Sequence, residues 1–280
     1  MERLEQPQKT DAERIADIAA RLIADLDQEP PIPLEIVASY RDIPKIELVE
    51  MPQAGSLTPS ANSLVMQLRA SDSPRRRRFT GFHEVGHTFQ PGYREQRLFR
   101  CSNPTIVSRP ANDPETLADV AAVELLLPRT YFEPMALASE FSIESIVALA
   151  DEFEASPQAT SYRFASFWPE STLVLVLEPG FRKEEKGDSE ATAKLRVVSA
   201  WPHPYGAWPF IPKNKSAIED GALARALNGE VIKESAGLEE LGMESTGGLE
   251  LTARLFRYGR GLERRERVLA LYRRPGKSNG

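Results

Sequence analysis

Phe79-Thr-Gly-Phe-His-Glu-Val-Gly-His-Thr-Phe89 contains two of the chain's three histidines, four residues apart, with a glutamate directly after the first. His83, Glu84 and His87 thus form the pattern H-E-x-x-H. On a helix, side chains at i and i+4 point the same way, so the two imidazoles can grip one zinc ion at about 2.0–2.1 Å each. The glutamate is then placed to act as general base toward a water whose pKa the metal lowers to roughly 7. The plain alternative is a charged helix face with two surface histidines. The surroundings weigh against it, because Phe79, Phe82, Val85 and Phe89 lie around the same turns. Two histidines and a glutamate are costly to bury without a partner such as a metal. Gly86 points the same way, since a glycine inside a helix costs about 1 kcal/mol relative to alanine and is kept where something approaches the backbone closely.

A catalytic zinc has three protein ligands and one open position. No third histidine is near, and the best candidate is Glu115, in the first turn of a helix predicted from Pro114 to Pro128 by the spacing of Leu117, Ala118, Ala121, Ala122 and Leu125. Asp119 follows one turn later on the same face, where a carboxylate can accept the spare ring N–H of His83 or His87 and fix its tautomer. Glu124 competes for the ligand role. It lies on roughly the opposite side of the helix from Glu115, so both cannot face one metal, and it reads as a solvated or salt-bridged carboxylate.

The run Arg77-Arg-Phe-Thr-x-x-His83-Glu84-x-x-His87, followed by Glu115-Thr-Leu-x-Asp119-x-Ala-Ala and Leu125-Leu-Leu-Pro128, resembles the ImmA/IrrE family of zinc metallopeptidases. The resemblance implies zinc held by His83, His87 and Glu115, with Glu84 as the base. Position 119, commonly Asn in the family, is Asp here and keeps an acceptor behind the metal ligands. The segment Thr88-Phe-Gln-Pro-Gly-Tyr93 departs from the family's usual apolar continuation, and Pro91 should end the helix and leave Tyr93 on a loop near the site. The resemblance further implies a protein substrate: a helix-turn-helix repressor of the XRE type, cut once under stress to release its target genes. Two histidines and a carboxylate would also accept manganese, so Mn2+ stands beside Zn2+ as the candidate metal.

Composition sets the outer bounds. At 41% apolar and 27% charged residues the chain reads as globular, with room for two or three domains. No apolar run reaches the roughly 20 residues that span a bilayer, and Met1-Glu-Arg-Leu-Glu-Gln lacks the features of a signal peptide, so no membrane association is expected. One cysteine, Cys101, excludes an internal disulfide and fits a cytoplasmic location. A net charge of −6 argues against broad nucleic-acid binding.

Along the chain, residues 11 to 29 read as an amphipathic helix capped by Asp11, and Leu34 to Tyr40 as a second helix. Ile46 to Glu50 and Ser63 to Arg69 read as two strands of a small sheet, whose edge could align an extended substrate beside the metal helix. Arg75 to Arg78 precede that helix as a solvated face, or alternatively as a guide for an acidic substrate segment. Residues 88 to 113 form a long connection expected to border the cleft.

Ser142 to Asp151 and Pro157 to Ser166 have the spacing of a helix-turn-helix, which the family also carries at this place. Its second helix offers only Arg163 among acidic neighbours, so direct DNA binding is not expected and a packing or docking role is favoured. From Pro169 onward, strands at Thr172 to Leu177, Leu195 to Trp201, Val231 to Glu234, Leu249 to Tyr258 and Val268 to Tyr272 alternate with a helix from Ser216 to Leu227, given a capping box by Ser216 and Glu219. Arg182 to Glu190 reads as a charged, mobile loop. Periodicity here gives an α+β fold, and the resemblance implies a GAF-like sensory domain.

Trp201-Pro-His-Pro-Tyr-Gly-Ala-Trp-Pro-Phe210 could wall a small-molecule pocket with His203 as its polar group, or serve as an aromatic plug between domains. The arginine-rich stretch from Arg254 to Arg274, interleaved with Glu263 and Glu266, reads as a solvated, ion-paired ribbon.

The expected organisation is a zinc-peptidase domain of helices and a small sheet over 1–128, a helix-turn-helix-like segment over 129–168, and a GAF-like α+β domain over 169–280. The competing class is a non-proteolytic, zinc- or ligand-binding transcriptional regulator acting through its helix-turn-helix.

Overall fold

The structure, a computed structural model, describes residues 9–60, 63–93, 99–101, 110–185, 192–244, 248–258 and 265–275. The chain divides into two compact units: Met1–Phe132 with Ala150–Ser156, and Glu133–Leu149 with Pro157–Gly280. Both mix helices with sheet, which is the α+β class expected.

In the first unit, α1 (Asp11–Leu26) starts one residue earlier than its sequence suggests. Thr10, not Asp11, is the cap: its side chain accepts from the Glu13 N–H while the Glu13 carboxylate accepts from the Thr10 N–H, a reciprocal capping box. Ile15, Ala19, Leu22 and Ile23 form its buried stripe. Helix α2 runs Leu34–Tyr40, as predicted.

The sheet has four strands, not two. β1 (Lys45–Val49), β2 (Gly55–Ser60), β3 (Ser63–Arg69) and β4 (Phe99–Cys101) stand in the order β1-β3-β2-β4, with β1 parallel to β3 and β2 antiparallel to both of its neighbours. Gly55-Ser-Leu-Thr-Pro-Ser60 contains a glycine, a proline and one large apolar residue, which hides β2 from any reading by β-propensity. β3 is therefore interior, and β4, which falls inside the connection predicted from 88 to 113, forms the edge on the β2 side.

Helix α3 (Pro74–His87) begins at Ser73, whose hydroxyl accepts from the Arg76 N–H, with Pro74 at its first position. The arginine run thus lies inside the helix and not before it. Its side chains are half-buried and bonded, and so do not form a simple solvated face. Arg75 pairs with Asp151, and Arg77 donates to the carbonyls of Ala70 and Asp72. Arg78 donates to the Ile32 carbonyl, with its guanidinium over Phe82. The second half of α3 is enclosed on all sides: every residue from Thr80 to His87 is buried.

Helix α4 (Pro114–Leu126) lies against it, at a spacing that Gly86 permits. A Cβ there would come within 2.8 Å of the Ala118 carbonyl oxygen and 2.9 Å of the Ala121 Cβ. This is the close approach that a mid-helix glycine signalled.

After α5 (Arg129–Ala138) and α6 (Ile143–Glu152), the second unit continues with α7 (Pro157–Phe167) and a five-stranded antiparallel sheet. Its strands are β5 (Thr172–Gly180), β6 (Lys194–His203), β7 (Ile232–Ser235), β8 (Glu250–Tyr258) and β9 (Arg265–Arg273), in the order β6-β5-β9-β8-β7. Leu173, Leu175 and Leu177 of β5 pack with Leu223 and Ala226 of α8 (Ala222–Leu227), in a core completed by Ala270 and Tyr272. Val174 and Val176 alternate to the opposite face, and α7 packs on β5 and β6.

Helix α8 starts five residues later than the Ser216/Glu219 pattern suggests, with Gly221 in the cap position and no side-chain cap. Backbone hydrogen bonds draw the intended first turn away. Lys215 and Asn214 bond to Val197, and Ala217 to Leu195, so this stretch lies along β6. Gly229, at φ +100°, follows the helix end as expected. Of the charged loop after β5, the described part is a single 3₁₀ turn, and its Glu185 carboxylate holds the buried Arg196 guanidinium at 2.7 and 3.0 Å. Residues 186–190 lie outside the described residues.

Candidate metal centre

The i, i+4 spacing on α3 brings the His83 and His87 rings edge to face, with centroids 4.8 Å apart. α4 supplies the carboxylate that meets them. Asp113 caps α4 by accepting from the Glu115 N–H at 3.0 Å, Pro114 occupies the first helical position, and Glu115 follows at the second. From there one Glu115 oxygen lies 3.3 Å from His83 Nε2 and the other 3.4 Å from His87 Nε2. Ligands held at 2.0–2.1 Å around a tetrahedral ion stand roughly 3.3–3.4 Å apart. The donor set therefore has the spacing of a metal site, and one ligand atom from each of these three residues falls within a 4.8 Å cluster.

The protonation pattern fits as well. Asp119 Oδ1 is 2.8 Å from His83 Nδ1. A carboxylate only accepts, so the proton belongs on Nδ1 and the Nε2 lone pair is left facing the Glu115 side. Burial, reinforced by the neighbouring His83, pulls His87 down to about 4. Its ring is thus neutral near pH 7, the form that binds metal.

Glu84 is fully buried one residue on from His83 and lies toward β2, where a Cβ on Gly55 would sit 2.8 Å from Glu84 Oε1 and 2.5 Å from Thr80 Cγ2. Gly55 is thus the residue that leaves room for the glutamate. Sequence reasoning missed it, because the strand carrying it has no strand-like pattern.

Four of the five expected site residues, His83, His87, Glu115 and Asp119, come together, and Glu84 stands next to them on α3. Of the two states expected for Glu124, solvated or salt-bridged, the solvated one does not hold. Glu124 is buried, and one of its oxygens accepts from the Arg129 N–H at 2.8 Å, at the first residue of α5. Helix α3 ends at His87, before Pro91, and Arg41 braces that end: its guanidinium donates to Thr88 Oγ1 and to the Thr88 carbonyl, and it lies over the Phe89 and Tyr93 rings. The Cys101 side chain is outside the described residues. His203 belongs to the second unit, stacked on Trp201 at 5.3 Å and held below its usual pKa by burial.

A pair of histidines buried in a helix and a carboxylate from a second helix form a cluster that could hold a metal ion, with a further carboxylate behind one ring. Comparison with known proteins agrees: residues 42–165 match the model of the IrrE N-terminal-like domain, a peptidase family. Over 232 residues the chain is 26% identical to the radiation response metalloprotease IrrE of Deinococcus radiodurans, covering 79% of this chain and 68% of that protein. A solved Mycobacterium tuberculosis transcriptional regulator superposes with a TM-score of 0.60 over 93% of this chain and 76% of its own, at 12% identity, a likeness of fold alone. Among the described residues, no helix is long and apolar enough to cross a membrane.

Proposed function

We propose that the protein is a zinc-dependent endopeptidase that cleaves a helix-turn-helix repressor of the XRE type in a stress response. The observation that carries this reading is the Glu115 carboxylate lying 3.3 and 3.4 Å from the Nε2 atoms of His83 and His87. A zinc ion there would be held by His83, His87 and Glu115, and it would supply Lewis acidity to a peptide carbonyl and to water. Asp119 keeps the His83 ring oriented. Glu84 takes a proton from the attacking water as the new C–O bond forms and then returns it to the leaving amine nitrogen as the amide C–N bond breaks. Enclosure of α3 excludes bulk water from the base and strengthens its electrostatics.

The second unit, with its antiparallel sheet and flanking α7 and α8, supports the reading as a GAF-like sensory domain, with a small-molecule ligand as its signal. Helix α7 has no exposed residue, and Pro157, Thr160, Ser161, Phe164 and Ala165 are buried. That favours a packing role for the helical pair over insertion into a DNA groove.

Incubating the zinc-loaded protein with the repressor encoded nearest to it, beside Glu84→Gln, and reading intact masses tests the proposal. One discrete cut by the wild type and none by the variant is expected. Complex formation by both proteins without a cut would replace this reading with that of a non-proteolytic regulator.

A further inference from the structure

We propose that Gln90 is a positioning residue that sets the third metal ligand, Glu115, against the two histidines; the inference rests on the metal-site reading above. In this site the ligands come from two helices joined by a long connection. Metal sites tolerate only about 0.5 Å of misplacement, so the relative pose of the two helices must be fixed near the ligands themselves. Gly86 against Ala118 fixes how closely α3 and α4 approach, one turn beyond Glu115. It does not fix how the first turn of α4 swings about that point.

Gln90 does. Its backbone N–H donates to the carbonyl of His87 at 3.3 Å, and its side-chain amide donates to the carbonyl of Pro114 at 2.6 Å. One residue therefore joins the carbonyl of one ligand residue to the carbonyl directly preceding the other. Gln90 is only 7% exposed, so the bond is shielded from competing water. The Asp113 cap cannot substitute, because it satisfies an N–H within α4 and carries no information about α3. Arg41 fixes the other side of the same turn by binding both the hydroxyl and the carbonyl of Thr88, so the turn from which Gln90 reaches across is itself held.

The bland alternative is a buried amide that merely satisfies a spare carbonyl. The two differ in where the effect of its loss appears. Gln90→Met keeps length and approximate volume and removes the amide, and with it the donor to Pro114. Zinc affinity is measured by competition with a chromophoric chelator for wild type, Gln90→Met, Glu115→Ala and the double variant, together with the d–d absorption of the cobalt-loaded proteins.

The expected result is a loss of about 10- to 100-fold in zinc affinity for Gln90→Met, the range typical of groups that orient ligands. That loss should vanish in the Glu115→Ala background, and the cobalt spectrum of Gln90→Met should shift toward that of Glu115→Ala. Wild-type affinity and spectrum in Gln90→Met, or a full additional loss on top of Glu115→Ala, would overturn the proposal while leaving the metal site intact. A wild-type protein that binds no zinc would overturn the metal-site reading and this inference with it.

Discussion

Both units bury polar groups, and they do so to different ends. In the second unit the buried Arg196 is absorbed locally: its guanidinium donates to the Gly180 and Asn214 carbonyls and to the Glu185 carboxylate. The buried Thr252 hydroxyl is likewise satisfied at once, accepting from the Ile143 N–H. Most of the surrounding interior is hydrocarbon. In the first unit, two consecutive turns of α3 carry His83, Glu84 and His87 into the interior, and α4 adds a carboxylate aimed at both Nε2 atoms. Structural polar groups end on backbone groups and ion partners, whereas the two imidazoles and the carboxylate converge on one point about the size of an ion. The difference separates a scaffold from a site, and it can be tested by perturbing each.

Removing a ligand should have the largest effect. His87→Ala is expected to weaken zinc binding by more than about 10²-fold, beyond what loss of an orienting group costs, as read by chelator competition. In the second unit the corresponding large change is one of stability. Leu175→Ala empties part of a core where Leu175 is fully buried, and should lower the unfolding free energy by about 2–5 kcal/mol in chemical denaturation while zinc affinity stays unchanged. If zinc affinity fell as well, the contrast between scaffold and site would not hold.

Next comes Asp119→Ala, which leaves the His83 tautomer unfixed and should reduce zinc affinity about 10- to 100-fold, with Asp119→Asn recovering most of it because the amide oxygen still accepts. The smallest effect is predicted for Lys233→Ala, read by the same denaturation measurement. It breaks an ion pair with Glu140 in which both side chains are more than half exposed, so that solvent and salt screen it.

What could be read from the chain follows the same division. The convergence of His83, His87, Glu115 and Asp119, with Glu84 beside them, was legible because it is tied to helical spacing, and spacing survives in one dimension. Gly86 was legible for a related reason, as an exception to helix propensity that needed a cause. The strands of the second unit were legible from runs such as Thr172 to Leu177, whose apolar side chains have no other use.

Features that depend on a distant partner were hidden. β2 exists because β3 and β4 bracket it, not because its residues favour a strand. Gly55 matters only through Glu84, and Gln90 only through a carbonyl 24 residues away. Ser216 and Glu219 form a valid capping pattern that loses to backbone bonds with β6, a contest that local sequence cannot judge. Glu124 looked solvated because helical spacing does not reveal that the next helix begins against it.

Zinc K-edge X-ray absorption on the purified, singly loaded protein tests the central claim most directly. A first shell of two imidazole nitrogens and one carboxylate oxygen at about 2.0–2.2 Å, with no sulfur, is the predicted result. Failure to retain one zinc per chain, or a sulfur scatterer at about 2.3 Å that would bring Cys101 into the shell, would contradict the assignment of His83, His87 and Glu115.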